Sequence, residues 1–229
     1  MIPALDYTPD ADIPHDASFW MPSEEDIPDD EGIGYFRNVW MLLNEPEDVT
    51  RHVIETESDL ITLVDHLTVS VEEYEALATI IDKGYSGKHP PGRLGHIIRT
   101  EAPELLEIAA DDELPLYDLE LGVAGLSYAL STVGAVPVAS CRGHEGGWSD
   151  QPVVFVALDE QRARWLQPLL RESGCGFHIS RNREEFLVID SPSIQHTNAL
   201  AQEIVREFDG HTDLFDRWLD LSVIDARYN

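Results

Sequence analysis

The sequence predicts an α+β fold: a mainly helical, acidic N-terminal half followed by an α-β-β-α-β-β-α layer with a mostly antiparallel sheet. Three observations carry this prediction. Runs with strand character alternate with helical periodicity only beyond residue 116. Acidic residues are concentrated upstream: residues 1–118 hold 28 acids against 6 bases (net −22), whereas 119–229 hold 16 against 9 (net −7). Finally, Gly, Pro, Asp and Ser punctuate the second half where helices and strands should begin or end.

Residues 1–36 carry ten acids, no Lys or Arg, and prolines at 3, 9, 14, 22 and 28. Proline lacks an N–H and resists helix interiors, so this segment is expected to be an extended acidic arm. Phe19, Trp20 and Met21 form one apolar anchor within it, suited to the chain's own surface or to a partner. A mainly helical acidic region is expected over 37–115. The apolar run Tyr35–Leu43 begins it as a short strand or helix, and Leu60–Leu67 is too short for periodicity to decide. Ser70 and Glu73 have capping-box spacing ahead of Val71, Tyr74, Leu77, Ala78 and Ile81, and Gly84 is expected as a left-handed cap.

The Gly84–Arg93 loop holds a Gly-Lys pair without phosphate-loop spacing, and two prolines stand where a helix N-terminus should follow. His89 and His96 are expected as loop and helix-surface residues. A helix is predicted over 101–114, with Pro103 in its first turn.

The α+β module spans 116–229. Leu119, Val123, Leu126, Leu130 and Val133 predict a helix closed by Gly134, and Val136–Ser140 a strand. Pro152–Leu158 predicts a buried strand, and Asp159 caps a helix that contains Pro168 and ends at Gly174. Gly176–Ser180 and Glu185–Ile189 predict a hairpin across Arg181-Asn182-Arg183-Glu184. Ser191-Pro192 opens a helix carrying Ile194, Leu200, Ile204 and Phe208, and Thr212 caps a last short one.

At 229 residues and 43% hydrophobic, the chain suffices for one large domain or two small ones. Neither an apolar run of membrane-spanning length nor a secretory leader pattern is visible, and two cysteines make no disulfide framework; a soluble cytoplasmic protein is expected. The net charge of −29 repels phosphate backbones, so broad nucleic-acid binding is disfavoured. The same field speeds encounter with a basic protein, although solubility alone also accounts for it.

The densest chemistry lies in Ser140-Cys141-Arg142-Gly143-His144-Glu145-Gly146-Gly147-Trp148. Three uses are open. Cys141 is a candidate nucleophile, its thiolate favoured by Arg142 and His144. Cys141 and His144 also make two of the four ligands of a tetrahedral metal site, with His178 or Cys175 to complete it; no metal site is assigned on that pair alone. Thirdly, the loop suits a small or anionic ligand, bound through Ser140, Cys141, Arg142, Gly143, His144 and Trp148, with Arg181 and Arg183 converging on the same edge.

Ser140-Cys141-Arg142-Gly143 after a strand, and Gly176-Phe177-His178-Ile179-Ser180 after a helix, resemble motifs of the wybutosine-synthesis methyltransferases, which modify a tRNA guanosine derivative. The resemblance spans residues 119–208, and His144 stands where that family has arginine. It implies S-adenosylmethionine as cofactor and a methyltransferase-like enzyme using the Cys141/His144 loop. Charge and composition favour a different function: an acidic binding protein that recognises a small or anionic ligand through the loop, a basic protein partner in an immunity-like or regulatory role, or both.

Overall fold

The computed structural model describes residues 1–23, 42, 47–88, 90, 92–108, 114–144, 146–209 and 215. The expectations for Tyr35–Leu43 (Leu42 apart), for His89, for residues 109–113 of the predicted helix and for a helix after Thr212 lie outside them. Six α-helices and one four-stranded antiparallel sheet make an α+β fold among the described residues, with helices filling the N-terminal half.

Helix α1 (Glu47–Leu67) buries Val53, Ile54, Glu57, Ile61, Val64 and Leu67, a stripe at helical spacing. The short Leu60–Leu67 run is its last two turns. Helix α2 (Val71–Lys83) starts on the expected Ser70 cap, whose hydroxyl accepts from Glu73 N–H at 3.3 Å; the Glu73 carboxylate reaches one residue past the capping-box position, to Val69 N–H at 2.9 Å. Gly84 differs from expectation. Its φ of 74° is paired with ψ of 168°, so it redirects the chain instead of making a left-handed cap. Helix α3 (Gly92–Glu101) is followed by a 3-10 turn at Pro103–Leu106 where a helix over 101–114 was expected.

The module follows in the expected order: α4 (Ala124–Thr132), β1 (Val136–Cys141), β2 (Val153–Ala157), α5 (Glu160–Ser173), β3 (Gly176–Ile179), β4 (Leu187–Asp190) and α6 (Ile194–Phe208). Helix α4 begins five residues later than periodicity implies. Buried Glu57 takes the N–H groups of Gly122, Ala124 and Gly125 at 2.8–3.0 Å, and Gly122 turns at φ 94° beneath Ile194. The α1 carboxylate therefore sets where α4 starts. Asp159 caps α5 through Arg162 N–H, and Gly174 closes it in the left-handed conformation.

Strand order is β1-β2-β4-β3, with every neighbour antiparallel. Val154, Val156, Phe177, Leu187 and Ile189 line one sheet face and pack with α4, α5 and α6, while α1 lies across α4 and α6. A second apolar cluster joins α1, α2 and α3 to Leu121, Ala124, Tyr128 and Ile194, so the core is continuous across residue 116.

Both sheet edges are managed. Edge strand β1 carries Pro137 and a register shift between Pro137 and Ala139. Along β3 the N-terminal arm lies so close that Phe177 donates its N–H to the Asp10 carbonyl at 2.7 Å. Tyr7 donates to Asp190 at 2.7 Å, and Trp20 packs 5.7 Å from Phe186. The arm's apolar anchor thus docks on its own sheet.

Candidate functional site

Cys141 ends β1, and residues 142–152 cross to β2. The turn closes on itself: His144 N–H donates to Ser149 O and Gly147 N–H to His144 O, each at 2.8 Å. Gly143 sits at φ 90°, where a Cβ would come within 2.8 Å of the Gln151 backbone. Only glycine permits that approach, and it bends the chain so that positions 141 and 144 face the same neighbours.

Those neighbours are carboxylates, Glu75 and Asp82 from α2 and Glu120 from the turn ahead of α4. Arg142 is 4% exposed and the two terminal nitrogens of its guanidinium pair internally, with Asp82 and, at 2.7 Å, with Glu75 of α2, while its Nε is buried without a hydrogen-bond partner. It also lies 6.0 Å from the Tyr74 ring centroid. Its backbone N–H donates to Glu120 at 2.9 Å. His144 bridges two acids, with Nε2 3.0 Å from Glu120 and Nδ1 3.5 Å from Glu75.

Burial pushes the Asp82 carboxyl up to about 6, against the opposing pull of Arg142 and the Leu121 N–H. Burial also acts to raise Glu120, but hydrogen bonds from Arg142 N–H and His144, with the Arg142 charge, hold it below the ordinary carboxylate value. The contrast leaves Glu120 the better anion of the two.

Several expectations are corrected by these positions. Cys141 is 1% exposed, and burial pushes its thiol up to about 11; the Gly143 N–H and the Arg142 charge pull the other way and are outweighed, so the expected thiolate is not favoured. Arg142 offers no free fork to an anion. Arg181 and Arg183 do not converge on the loop: Val153 pairs with Asp190 at the loop's end of the sheet, while Ile179 pairs with Leu187 at the other, where the 181–184 turn lies. There Arg183 pairs with Glu185 and covers Phe186.

His178 and Cys175 cannot complete a metal site with Cys141 either. Strand β3 is three positions from β1, roughly 14 Å at ordinary strand spacing. His178 faces away from Phe177, as alternation predicts, and meets Asp190 at 3.3 Å; Cys175 is buried. Ser140 is half-buried in β1 opposite Val154. Trp148 remains 61% exposed, 5.4 Å from Phe155.

Glu75, Asp82 and Glu120 were not among the sequence candidates, although Asp82 carried a signal, following Ile81 on the buried stripe of α2. Elsewhere, a groove of about 560 Å³ between α1 and α6 is lined by Arg51, Glu55, Asp59, Arg206 and Asp209 among others. Its arginines pair with local acids, Arg51 with Glu47 and Asp209, Arg206 with Glu203 and Glu207.

No protein-family model, curated protein or solved structure matches the chain. The two short motifs that resemble the methyltransferase family sit on opposite edges of the sheet, Ser140–Gly143 at the end of β1 and Gly176–Ser180 on β3.

Proposed function

We propose that this chain is an acidic binding protein that receives a basic protein partner at the 140–148 loop. The observation that carries the reading is the fate of Arg142: with its guanidinium buried against Asp82 and Glu75, the exposed chemistry left at the loop is carboxylate, imidazole and indole. That combination suits a cation. A lysine or arginine can lie on the Trp148 face while Glu75 and Glu120 supply opposite charge.

The net charge of −22 over residues 1–118 would steer such a partner inward, as an immunity-like or regulatory protein masking a basic effector requires. Two free, buried cysteines fit a reducing, cytoplasmic setting. None of the helices is long and apolar enough to cross a membrane among the described residues.

The test is calorimetric titration of chelator-treated protein with an arginine-rich peptide at low and moderate salt. Salt should weaken binding, and Trp148→Ala should weaken it about 2- to 30-fold at both salts, the span of an exposed to a desolvated cation–π contact. Identical binding by Trp148→Ala would reduce the attraction to bulk charge and remove the loop from the account.

A further inference from the structure

Three donors of different chemistry meet at the base of the same loop. The Cys141 sulfur, a His144 ring nitrogen and a Glu120 carboxylate oxygen all lie within 4.8 Å of one another. We propose that they supply three ligands of a zinc site.

Tetrahedral zinc, with sulfur at about 2.3 Å and nitrogen or oxygen at about 2.0–2.1 Å, spaces its donors roughly 3.3–3.7 Å apart. The His144–Glu120 approach of 3.0 Å is slightly inside that spacing, and the 4.8 Å limit lies about an ångström outside it. Small rotations close the difference, and both side chains have room for them: His144 is 33% and Glu120 31% exposed. Sulfur and imidazole select zinc over magnesium or calcium, which require oxygen ligands. Coordination forms the metal–sulfur bond as the Cys141 thiol proton passes to buffer, with no change in oxidation state.

The surroundings have the form of a supporting shell. Gly143 N–H donates to the Cys141 sulfur at 3.4 Å, which favours a thiolate once metal is bound. Arg142 N–H holds Glu120 at 2.9 Å, and Glu75 sits 3.5 Å from His144 Nδ1, placed to orient the ring when Nε2 faces the metal. Arg142, locked onto Asp82, fixes the segment between the two ligands. This inference does not rest on a basic partner, since the donors it invokes, Glu120, Cys141 and His144, belong to this chain.

The test uses the full chain, stripped with chelator and titrated with Co²⁺ and then Zn²⁺. One Co²⁺ should bind per chain and give a thiolate-to-cobalt charge-transfer band that Zn²⁺ abolishes by displacement. Cys175→Ser should keep the band and Cys141→Ser lose it. Because Cys141 is buried and its variant is at risk of misfolding, His144→Ala and Glu75→Gln supply half-exposed alternatives. The first should lose one-to-one binding, and the second should weaken it about 10- to 100-fold with an unchanged melting temperature. The proposal is overturned if wild type binds no Co²⁺ stoichiometrically, if the band follows Cys175, or if His144→Ala binds as wild type does.

Discussion

Replacing Glu57 with glutamine offers a sharp physical test of how the two halves are joined. Glu57 is fully buried in α1, and its carboxyl accepts three N–H groups at the start of α4. Burial pushes it up to about 7 from an unfolded value of 4.5, and the three N–H bonds only partly oppose the rise. The folded state therefore holds a proton that the unfolded chain has released between those values. A raised carboxyl favours folding fully below about 4.5, and that contribution is lost as pH rises to about 7.

The difference of about 2.5 units corresponds to on the order of 3 kcal/mol. In Glu57→Gln the side chain cannot titrate, and its amide N–H₂ faces the Gly125 N–H, leaving that donor unpaired at a cost of about 1–3 kcal/mol. Denaturant unfolding of both proteins from pH 4.5 to 8 isolates the effect in their difference. Wild type should lose its advantage over the variant progressively up to about pH 7 and hold a constant difference above it. A flat difference across that range would refute the reasoning, because Glu57 would then titrate as it does in the unfolded chain.

Two further outcomes follow from the packing. Arg142→Met leaves the Asp82 carboxylate buried beside an apolar group and should cost about 3–5 kcal/mol, part of it recovered in the Arg142→Met/Asp82→Leu double variant; a loss under about 1 kcal/mol in denaturant unfolding contradicts the buried pair as the loop's anchor. Gly176→Ala places a Cβ 2.6 Å from the Asp10 carbonyl oxygen and from Pro9 Cβ, so it should lift the arm off β3 and cost about 1–3 kcal/mol. Faster proteolysis within residues 1–23 and faster exchange of the Phe177 amide would show it, and unchanged protection would mean that the arm is not held by that edge.

The module was legible because its signals are local. Asp159, Gly174 and the alternation of Phe177, His178 and Ile179 each state their own geometry within a few residues, and the α-β-β-α-β-β-α order follows from them. Helix α1 was not legible as one helix. Its buried stripe includes Glu57, and a carboxylate on an apolar face breaks the pattern by which periodicity is recognised.

The start of α4 was misjudged for a related reason: the N–H groups that delay it are taken by a residue 65 to 68 positions away. At the loop, composition located Cys141 and His144 but assigned Arg142 the wrong task. The carboxylates that claim it, Glu75 and Asp82, come from α2, 60 or more residues upstream. Sequence spacing also joined Arg181 and Arg183 to a loop from which antiparallel register separates them by the length of the sheet.

The proposed function requires that the 140–148 loop receive a cation and not an anion. Side-chain NMR of His144 and Trp148 in chelator-treated protein, titrated in parallel with the arginine-rich peptide and with inorganic phosphate, tests it most directly. With a cation site at the loop, both resonances should shift with the peptide and saturate together, while phosphate leaves them in place. Saturable shifts with phosphate and none with the peptide would contradict it.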